Sequence, residues 1–342
     1  MSKKFIYAVI ATILFVGGVI ANNYYQKIFG KSITKEYVLY VYATDSLMDV
    51  KNKIEAYSKN PNTFLWVAAQ KNFSEPKNGR YLLKEGMSNN DIVNLLRSGN
   101  QTPLKISFNN QDTLEKFAGR IAEQIEVDSI KILESFTEKQ FLKENNFTKK
   151  SVLQICIPNT YEFYWTINPE KFRDRLLKEY NRFWTNSRIE KAKALKMSKN
   201  DVITLASIVQ KETAKKIERP IVAGLYLNRL KKGWPLQADP TIIYAVKEVK
   251  GQDFIVKRVL KIDLEINSPY NTYINRGLPP SLIAMPDISS IDAVLNAEKH
   301  NYMYMCANIE KIGYHKFART LTQHNRNANQ YQNWLNKKGV NR

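Results

Sequence analysis

The sequence is poor in the residues that hold metals, disulfide frameworks and nucleotides. Its 342 residues include two cysteines and three histidines, and His300, His315 and His324 are too scattered for metal-ligand spacing. It contains neither a phosphate-binding G-x-x-x-x-G-K-S/T loop nor a dinucleotide-binding G-x-G-x-x-G turn. We therefore expect no metal and no cofactor. Cys156 and Cys306 either pair in an oxidising compartment or remain buried thiols, and the sequence does not decide between them.

Acidic residues are also scarce relative to basic ones. The chain has 52 Lys and Arg against 32 Asp and Glu, which gives a formal net charge of +20. Such a field attracts polyanions, namely nucleic acid, anionic lipid head groups or acidic wall polymers. The excess is spread along the chain, so most of it is solvated surface. Hydrophobic residues make up 44% of the chain, enough for a globular core.

The N-terminus holds the one long apolar run. Phe5 to Ala21 is uninterrupted and follows Lys3 and Lys4. We interpret residues 1–27 as a cytoplasmic tip and a single transmembrane signal anchor. The alternative is a cleaved signal peptide, because Val19-Ile20-Ala21 offers small residues at a cleavage position. Both interpretations export the rest of the chain, which argues against nucleic acid as a partner. No cysteine lies near the run, so a lipoprotein is excluded.

The remaining chain predicts an α+β fold with two parts. Residues 36–110 alternate strand-like segments such as Tyr37–Ala43 with short helical ones, one of them capped at Ser88, and form a small α+β module. Residues 111–342 form a larger mixed α+β domain. Within it we expect helices over 111–126, 128–137 and 168–193 and a turn at 155–164. We also expect a polar loop at 236–246 that leads into a short apolar element, and a loop at 269–286.

One carboxylate stands out on a predicted helix that begins at the cap Ser198. On a helical wheel, Glu212 falls roughly 20° from Leu205, on the face shared with Val202 and Val209. A carboxylate on a core-facing stripe is costly unless something uses or pairs it. Desolvation raises its pKa, as a general acid near neutral pH requires.

Five motifs in fixed order around Glu212 resemble one family. The motifs are Leu205–Thr213, Asn228-Arg229-Leu230, Leu236–Tyr244, Tyr270–Tyr273 and Gly277–Pro280. Together with His315-x-Phe317 and His324-Asn325, they are similar to the endolytic murein transglycosylases of the MltG type, over roughly residues 36–335.

The resemblance implies a single-pass protein of the inner (plasma) membrane with its catalytic domain, residues 111–342, on the extracytoplasmic side. It implies that residues 36–110 are a LysM-like module, that peptidoglycan glycan strands are the substrate and that peptidoglycan synthases are possible partners. It also implies a role in ending the elongation of nascent strands.

The family's catalytic Glu corresponds to Glu212, on a helix. One carboxyl group suffices for its reaction: it protonates the glycosidic oxygen between N-acetylmuramic acid and N-acetylglucosamine and then deprotonates the muramic C6 hydroxyl, which closes a 1,6-anhydro ring. Polar groups on the flanking loops could bind N-acetyl or hydroxyl groups of the glycan, or could only hydrogen-bond the loops. These candidates are Gln237, Asp239, Asn271, Thr272 and Tyr273.

Two other functions stay open. A lysozyme-like hydrolase would need a second carboxylate about 5 to 10 Å from the first, and Asp239 is the candidate, although a loop-capping role suits it better. A non-catalytic wall-binding scaffold would use the LysM-like module alone. The chain also departs from the family: Gln210 stands where Glu is common, Leu282 and Met285 replace Pro and Asn, and the turn before His315 lacks Asp-Gly. These departures concern loop shape and glycan preference.

Overall fold

A computed structural model describes residues 2–337 of the chain as a mixed α+β protein, as the sequence predicts. The chain divides into two compact units. The first contains the residues up to Ile106 together with Glu123–Val127 and Tyr161–Asn168. The second contains Ser107–Ala122, Asp128–Thr160 and the chain from Pro169 onward.

The N-terminal apolar run forms one continuous helix, α1 (Lys3–Phe29), of 27 residues. Its most apolar window has a mean hydropathy of 2.2, and it is the one helix in the described part of the chain that is long and apolar enough to cross a membrane. The helix passes unbroken through Val19-Ile20-Ala21 and leaves its apolar side chains exposed.

The last turns of α1 pack onto the rest of the first unit. Ile28 contacts its hydrophobic core, the Tyr24 ring lies 5.5 Å from that of Trp66, and Nδ2 of Asn89 donates to the carbonyl of Lys27 at 3.2 Å. No flexible linker therefore separates the end of the apolar helix from this unit.

The first unit is a two-stranded antiparallel sheet covered by short helices. Strands β1 (Tyr37–Val41) and β2 (Gly79–Leu83) pair with Tyr37 opposite Leu83. Capping boxes begin two of the helices, because Ser46 and Ser88 each bind a backbone N–H three residues on. The helices are α2 (Leu47–Ile54), α3 (Pro61–Gln70) and α4 (Asn89–Ser98).

Two further two-stranded sheets follow along the chain. Strands β3 (Leu104–Ser107) and β4 (Thr160–Phe163) pair with each other, and most of their residues belong to the first unit. The second unit is mainly helical and contains β5 (Tyr304–Ala307), which pairs antiparallel with β6 (His315–Ala318). The helices are α5 (Leu114–Ala122), α6 (Ser129–Thr137), α7 (Lys139–Glu144), α8 (Pro169–Phe183), α9 (Asn186–Ala194), α10 (Lys199–Glu212), α11 (Arg219–Lys231), α12 (Asp239–Lys250), α13 (Ile288–Leu295) and α14 (Leu321–Lys337).

Three local predictions are wrong between residues 155 and 246. The single helix expected over 168–193 is two helices, because Trp184 turns into the core at 3% exposure and Thr185 caps a new helix. The turn expected at 155–164 contains β4. The polar loop expected over 236–246 is shorter than predicted, because the element that it leads into, α12, already begins at Asp239. Cys156 and Cys306 are both free thiols.

Candidate active site

Glu212 is the last residue of α10, the central helix of the second unit. Every residue from Val202 to Val209 is buried, and α10 packs against α11, α12 and α13. The helix is therefore buried on all sides along its middle and has no single apolar stripe. Glu212 is half-buried, because it is the last residue of the helix and lies beyond the fully buried stretch Val202–Val209.

The surroundings of Glu212 raise its pKa. Burial is the main cause and favours the neutral acid, and the charge of Asp239 acts in the same direction. The charge of His315, the hydrogen bond from Tyr226 and the charge of Arg229 act in the opposite direction. The C-terminal end of a helix carries partial negative charge, which also disfavours a carboxylate there. The site thus holds a carboxyl group adapted to donate a proton.

Tyr226 holds the carboxyl group of Glu212 in place. Its hydroxyl donates a hydrogen bond of 3.1 Å to Oε2 of Glu212, and its side chain is 1% exposed on α11. Burial raises the pKa of Tyr226 well above its usual value, so the hydroxyl stays a donor. Sequence reasoning missed Tyr226. The available signal was a tyrosine hydroxyl on the buried face of α11, three residues before the motif residue Arg229.

Arg229 ties α11 to the loop before α12. Its Nε donates to the carbonyl of Met303 at 2.8 Å, and its Nη1 donates to the carbonyl of Leu236 at 2.6 Å and to Oε1 of Gln237 at 3.3 Å. Burial lowers the pKa of Arg229. Gln237 is exposed and has a left-handed backbone with φ of 50°, a conformation that costs a non-glycine residue about 1 kcal/mol. The buried guanidinium supports this loop shape.

Asp239 and Tyr273 form a second polar group of the site. The hydroxyl of Tyr273 donates to Oδ1 of Asp239 at 2.5 Å, and burial raises the pKa of Tyr273. Asp239 is exposed in the first turn of α12, where the helix N-terminus favours a carboxylate. Its charge acts on Glu212, which places the two carboxyl groups in one electrostatic environment.

Asn271 and Thr272 lie behind the site. Their side chains are 0% and 1% exposed. Nδ2 of Asn271 donates to the carbonyls of Leu264 and Ile266, each at 2.9 Å. Oγ1 of Thr272 accepts from the backbone N–H of Ala238 at 3.1 Å and lies 2.8 Å from Oγ1 of Thr241. Both residues therefore hold the loop that carries Tyr273 and Gln237, while Gln237, Asp239 and Tyr273 keep accessible surface.

A buried carboxylate orients His315. Glu218 is 3% exposed; its Oε2 lies 2.9 Å from Nδ1 of His315 and accepts from Oγ1 of Thr213 at 2.9 Å, and its Oε1 accepts from the backbone N–H of His315 at 2.6 Å. Its contact with His315 joins residues 97 positions apart.

Gln210 fixes the segment that follows the proline-rich loop. Its Oε1 accepts from the backbone N–H of Asp287 at 2.6 Å and from Oγ of Ser290 at 3.0 Å, and its Nε2 donates to the carbonyl of Met285 at 3.3 Å. An amide can both donate and accept, whereas a carboxylate can only accept. The amide of Gln210 therefore makes all three hydrogen bonds, whereas a carboxylate at this position could not donate to Met285.

Comparisons with known proteins show which chains this one is similar to. The YceG-like family matches residues 39–330. An endolytic murein transglycosylase of Bacillus subtilis (strain 168) is 31% identical over 300 residues, which cover 82% of this chain and 80% of that protein. An endolytic murein transglycosylase of Streptococcus pneumoniae serotype 2 is 27% identical over 79% of this chain and 53% of its own length.

A solved structure is also similar. The crystal structure of a YceG-like protein from Listeria monocytogenes aligns with a TM-score of 0.57 and 28% sequence identity, over 85% of this chain and 98% of that one. The chain belongs to the YceG-like family.

Proposed function

We propose that this protein is an endolytic peptidoglycan lytic transglycosylase, a lyase, with Glu212 as its one catalytic acid and base. The observation that carries the proposal is a half-buried carboxyl group with a raised pKa, held by Tyr226 at the end of a rigid central helix. The name shared by the Bacillus and Streptococcus relatives supports the same substrate, the glycan strands of peptidoglycan.

The proposed reaction needs one carboxyl group and no water. Protonated Glu212 gives its proton to the glycosidic oxygen, and the bond from that oxygen to C1 of N-acetylmuramic acid breaks. The carboxylate of Glu212 then takes the proton of the muramic C6 hydroxyl, whose oxygen bonds to C1. The products are a free 4-hydroxyl on N-acetylglucosamine and a 1,6-anhydro end on N-acetylmuramic acid.

The substrate contacts divide into direct and indirect ones. We assign glycan contacts to Gln237, Asp239 and Tyr273, because their side chains keep accessible surface. Asn271 and Thr272 act indirectly by holding the loop, because their polar atoms are already bound within the protein.

The proposed location is the plasma membrane. Residues 1–27 serve as a retained anchor, supported by the unbroken α1 and its packing onto the first unit. Residues 36–110 serve as a LysM-like module that binds wall glycan, and residues 111–342 as the catalytic domain outside the cytoplasm. Cleavage there would end the elongation of nascent strands, next to peptidoglycan synthases.

Mass spectrometry of the products tests the reaction. The full chain, purified in detergent, is incubated with isolated glycan strands. We expect 1,6-anhydro ends, and we expect Glu212→Gln to lower the rate at least about 100-fold, as loss of a general acid and base does. Glu190→Gln, an exposed carboxylate on α9, is the matched control and should retain full activity.

Three results would overturn the proposal. Activity that survives Glu212→Gln would remove its catalytic residue. Products heavier by one water would indicate a hydrolase, an alternative favoured by the action of the Asp239 charge on Glu212. Glycan binding without cleavage by the unmodified chain at every pH would leave the scaffold function in its place.

A further inference from the structure

A basic cavity lies at the end of the apolar helix, within the first unit. It measures about 690 Å³ and is lined on one side by the last turns of α1 and on the other by the start of α3. Three of its lining residues are lysines, Lys27, Lys31 and Lys59, and none is Asp or Glu. The other lining side chains are aromatic, amide or hydroxyl groups, including Tyr25 and Phe29.

The three lysines are available to a ligand. Each is exposed, and in the described part of the chain no carboxylate forms a salt bridge with any of them. The ammonium group of Lys27 lies 5.6 Å from the Trp66 ring centroid and 5.7 Å from that of Tyr24, so aromatic rings hold it in place. An uncompensated positive cavity of this kind favours an anion.

The length of α1 places the cavity at the level of lipid head groups. From Lys3 to Lys27 the helix rises about 36 Å, compared with about 30 Å for the hydrocarbon core of a bilayer. With Lys3 and Lys4 in one interface, Lys27 reaches the opposite one. Tyr24 and Tyr25 are exposed just before it, as aromatic residues are at membrane interfaces.

We propose that this cavity binds the phosphate group of an anionic phospholipid in the outer leaflet. Lys31 and Lys59 contact the phosphate, while the exposed rings of Tyr25 and Phe29 contact the glycerol backbone and upper acyl chains. Continuity of the cavity with α1 selects a lipid as occupant, because a lipid beside the anchor reaches the cavity without leaving the membrane. The inference rests on the proposed membrane anchor and not on the proposed lyase activity.

Lipid titration of the full chain tests the site. The protein in dodecyl maltoside is titrated with dihexanoyl-phosphatidylglycerol or dihexanoyl-phosphatidylcholine, and bound lipid is counted by native mass spectrometry. Lys31→Gln combined with Lys59→Gln should weaken phosphatidylglycerol binding about 25-fold, since each lysine near a membrane surface contributes about fivefold to the binding of an anionic lipid. Phosphatidylcholine should bind weakly to both proteins.

The matched control is Lys105→Gln combined with Lys149→Gln. Both lysines are exposed, and the pair removes the same charge away from the cavity. It should leave phosphatidylglycerol binding unchanged. Equal binding of phosphatidylglycerol to the cavity variant and the control, or equal binding of both lipids, would show that the cavity is not the binding site of an anionic lipid. Displacement of phosphatidylglycerol by equimolar inorganic phosphate would show that the cavity binds phosphate and not a lipid.

A separate measurement tests the anchor on which this inference rests. Carbonate extraction of membranes that contain the full chain should leave it in the membrane fraction. Release of the chain into the supernatant would show that α1 is not a membrane anchor. The titration in detergent measures lipid binding to the cavity and needs no membrane. The two failures are therefore distinguishable.

Discussion

Nδ1 of His315 lies 2.9 Å from Oε2 of Glu218, a carboxylate that is 3% exposed. A carboxylate can only accept, so Nδ1 carries the proton of this hydrogen bond. The second contact of Glu218, to the backbone N–H of His315, fixes the strand as well as the ring. Glu218 therefore positions His315, whose charge lowers the pKa of Glu212.

Replacing His315 should move the pH profile to the alkaline side. The charge of His315 lowers the pKa of Glu212, so His315→Gln should raise it. The protonated acid starts the reaction, and kcat/KM falls as pH rises through the pKa of Glu212 in the free enzyme. The alkaline limb of kcat/KM should therefore lie at higher pH in the variant.

Lys316→Gln is the control for His315→Gln. It removes a positive charge from the neighbouring residue of β6, where Lys316 pairs with Glu310, and should leave the limb in place. An unchanged limb in His315→Gln, measured over the same pH range, would show that His315 does not act on Glu212.

Replacing Asp239 should have the opposite effect on the profile. The charge of Asp239 raises the pKa of Glu212, so Asp239→Asn should lower it and move the alkaline limb to lower pH. We expect kcat at the optimum to fall less than about tenfold, because Asp239 supports binding and not the chemical step. A fall beyond about 100-fold is typical of the loss of an acid or base, and would make Asp239 the second carboxylate of a hydrolase.

Removing the hydroxyl of Tyr226 should weaken catalysis more than stability. Tyr226→Phe keeps the ring buried but loses the 3.1 Å hydrogen bond to Glu212. Hydrogen bonds to charged groups contribute about 1.5–3 kcal/mol, so kcat should fall about tenfold to 100-fold if the bond acts in the reaction. The alkaline limb of the pH profile should also move to higher pH, since this hydrogen bond lowers the pKa of Glu212.

Tyr244→Phe is a matched control, because Tyr244 lies on α12 and its hydroxyl interacts with Tyr270 and Glu248 instead of Glu212. It should leave kcat and the pH profile unchanged. Equal kcat in Tyr226→Phe and the unmodified enzyme would show that Tyr226 only fills space.

Local signals in the sequence were sufficient for much of the fold. The caps Ser88 and Ser198 begin α4 and α10 as predicted, because a capping box involves only residues three positions apart. The position of Glu212 on a helix followed from the same cap. The break at Trp184 was missed, because burial of that ring depends on tertiary packing that overrides the helical periodicity.

The candidate site was predictable only in part. The sequence motifs identified Glu212, Gln237, Asp239 and Tyr273 as candidate site residues, and all four residues keep accessible surface. The roles of Tyr226 and Glu218 depend on contacts that a sequence does not display, such as the hydrogen bond from Tyr226 to Glu212 across two helices. The burial of Asn271 and Thr272 could not be predicted either, because loop residues are buried or exposed according to how the loop folds back.

Two helical glycines in the second unit distinguish the effect of close packing on stability from the effect of helix propensity. A Cβ on Gly224, in α11, would lie 2.3 Å from the carbonyl oxygen of Glu298 and 2.8 Å from Nε2 of His300. Gly224→Ala should therefore destabilise the unit by about 1–3 kcal/mol, as overpacking does. Gly119, in α5, has no atom within 4 Å of its added Cβ. Gly119→Ala should stabilise it by up to about 1 kcal/mol. Urea denaturation of both variants measures whether each substitution lowers or raises the free energy of unfolding. Equal midpoints would contradict the close approach at Gly224.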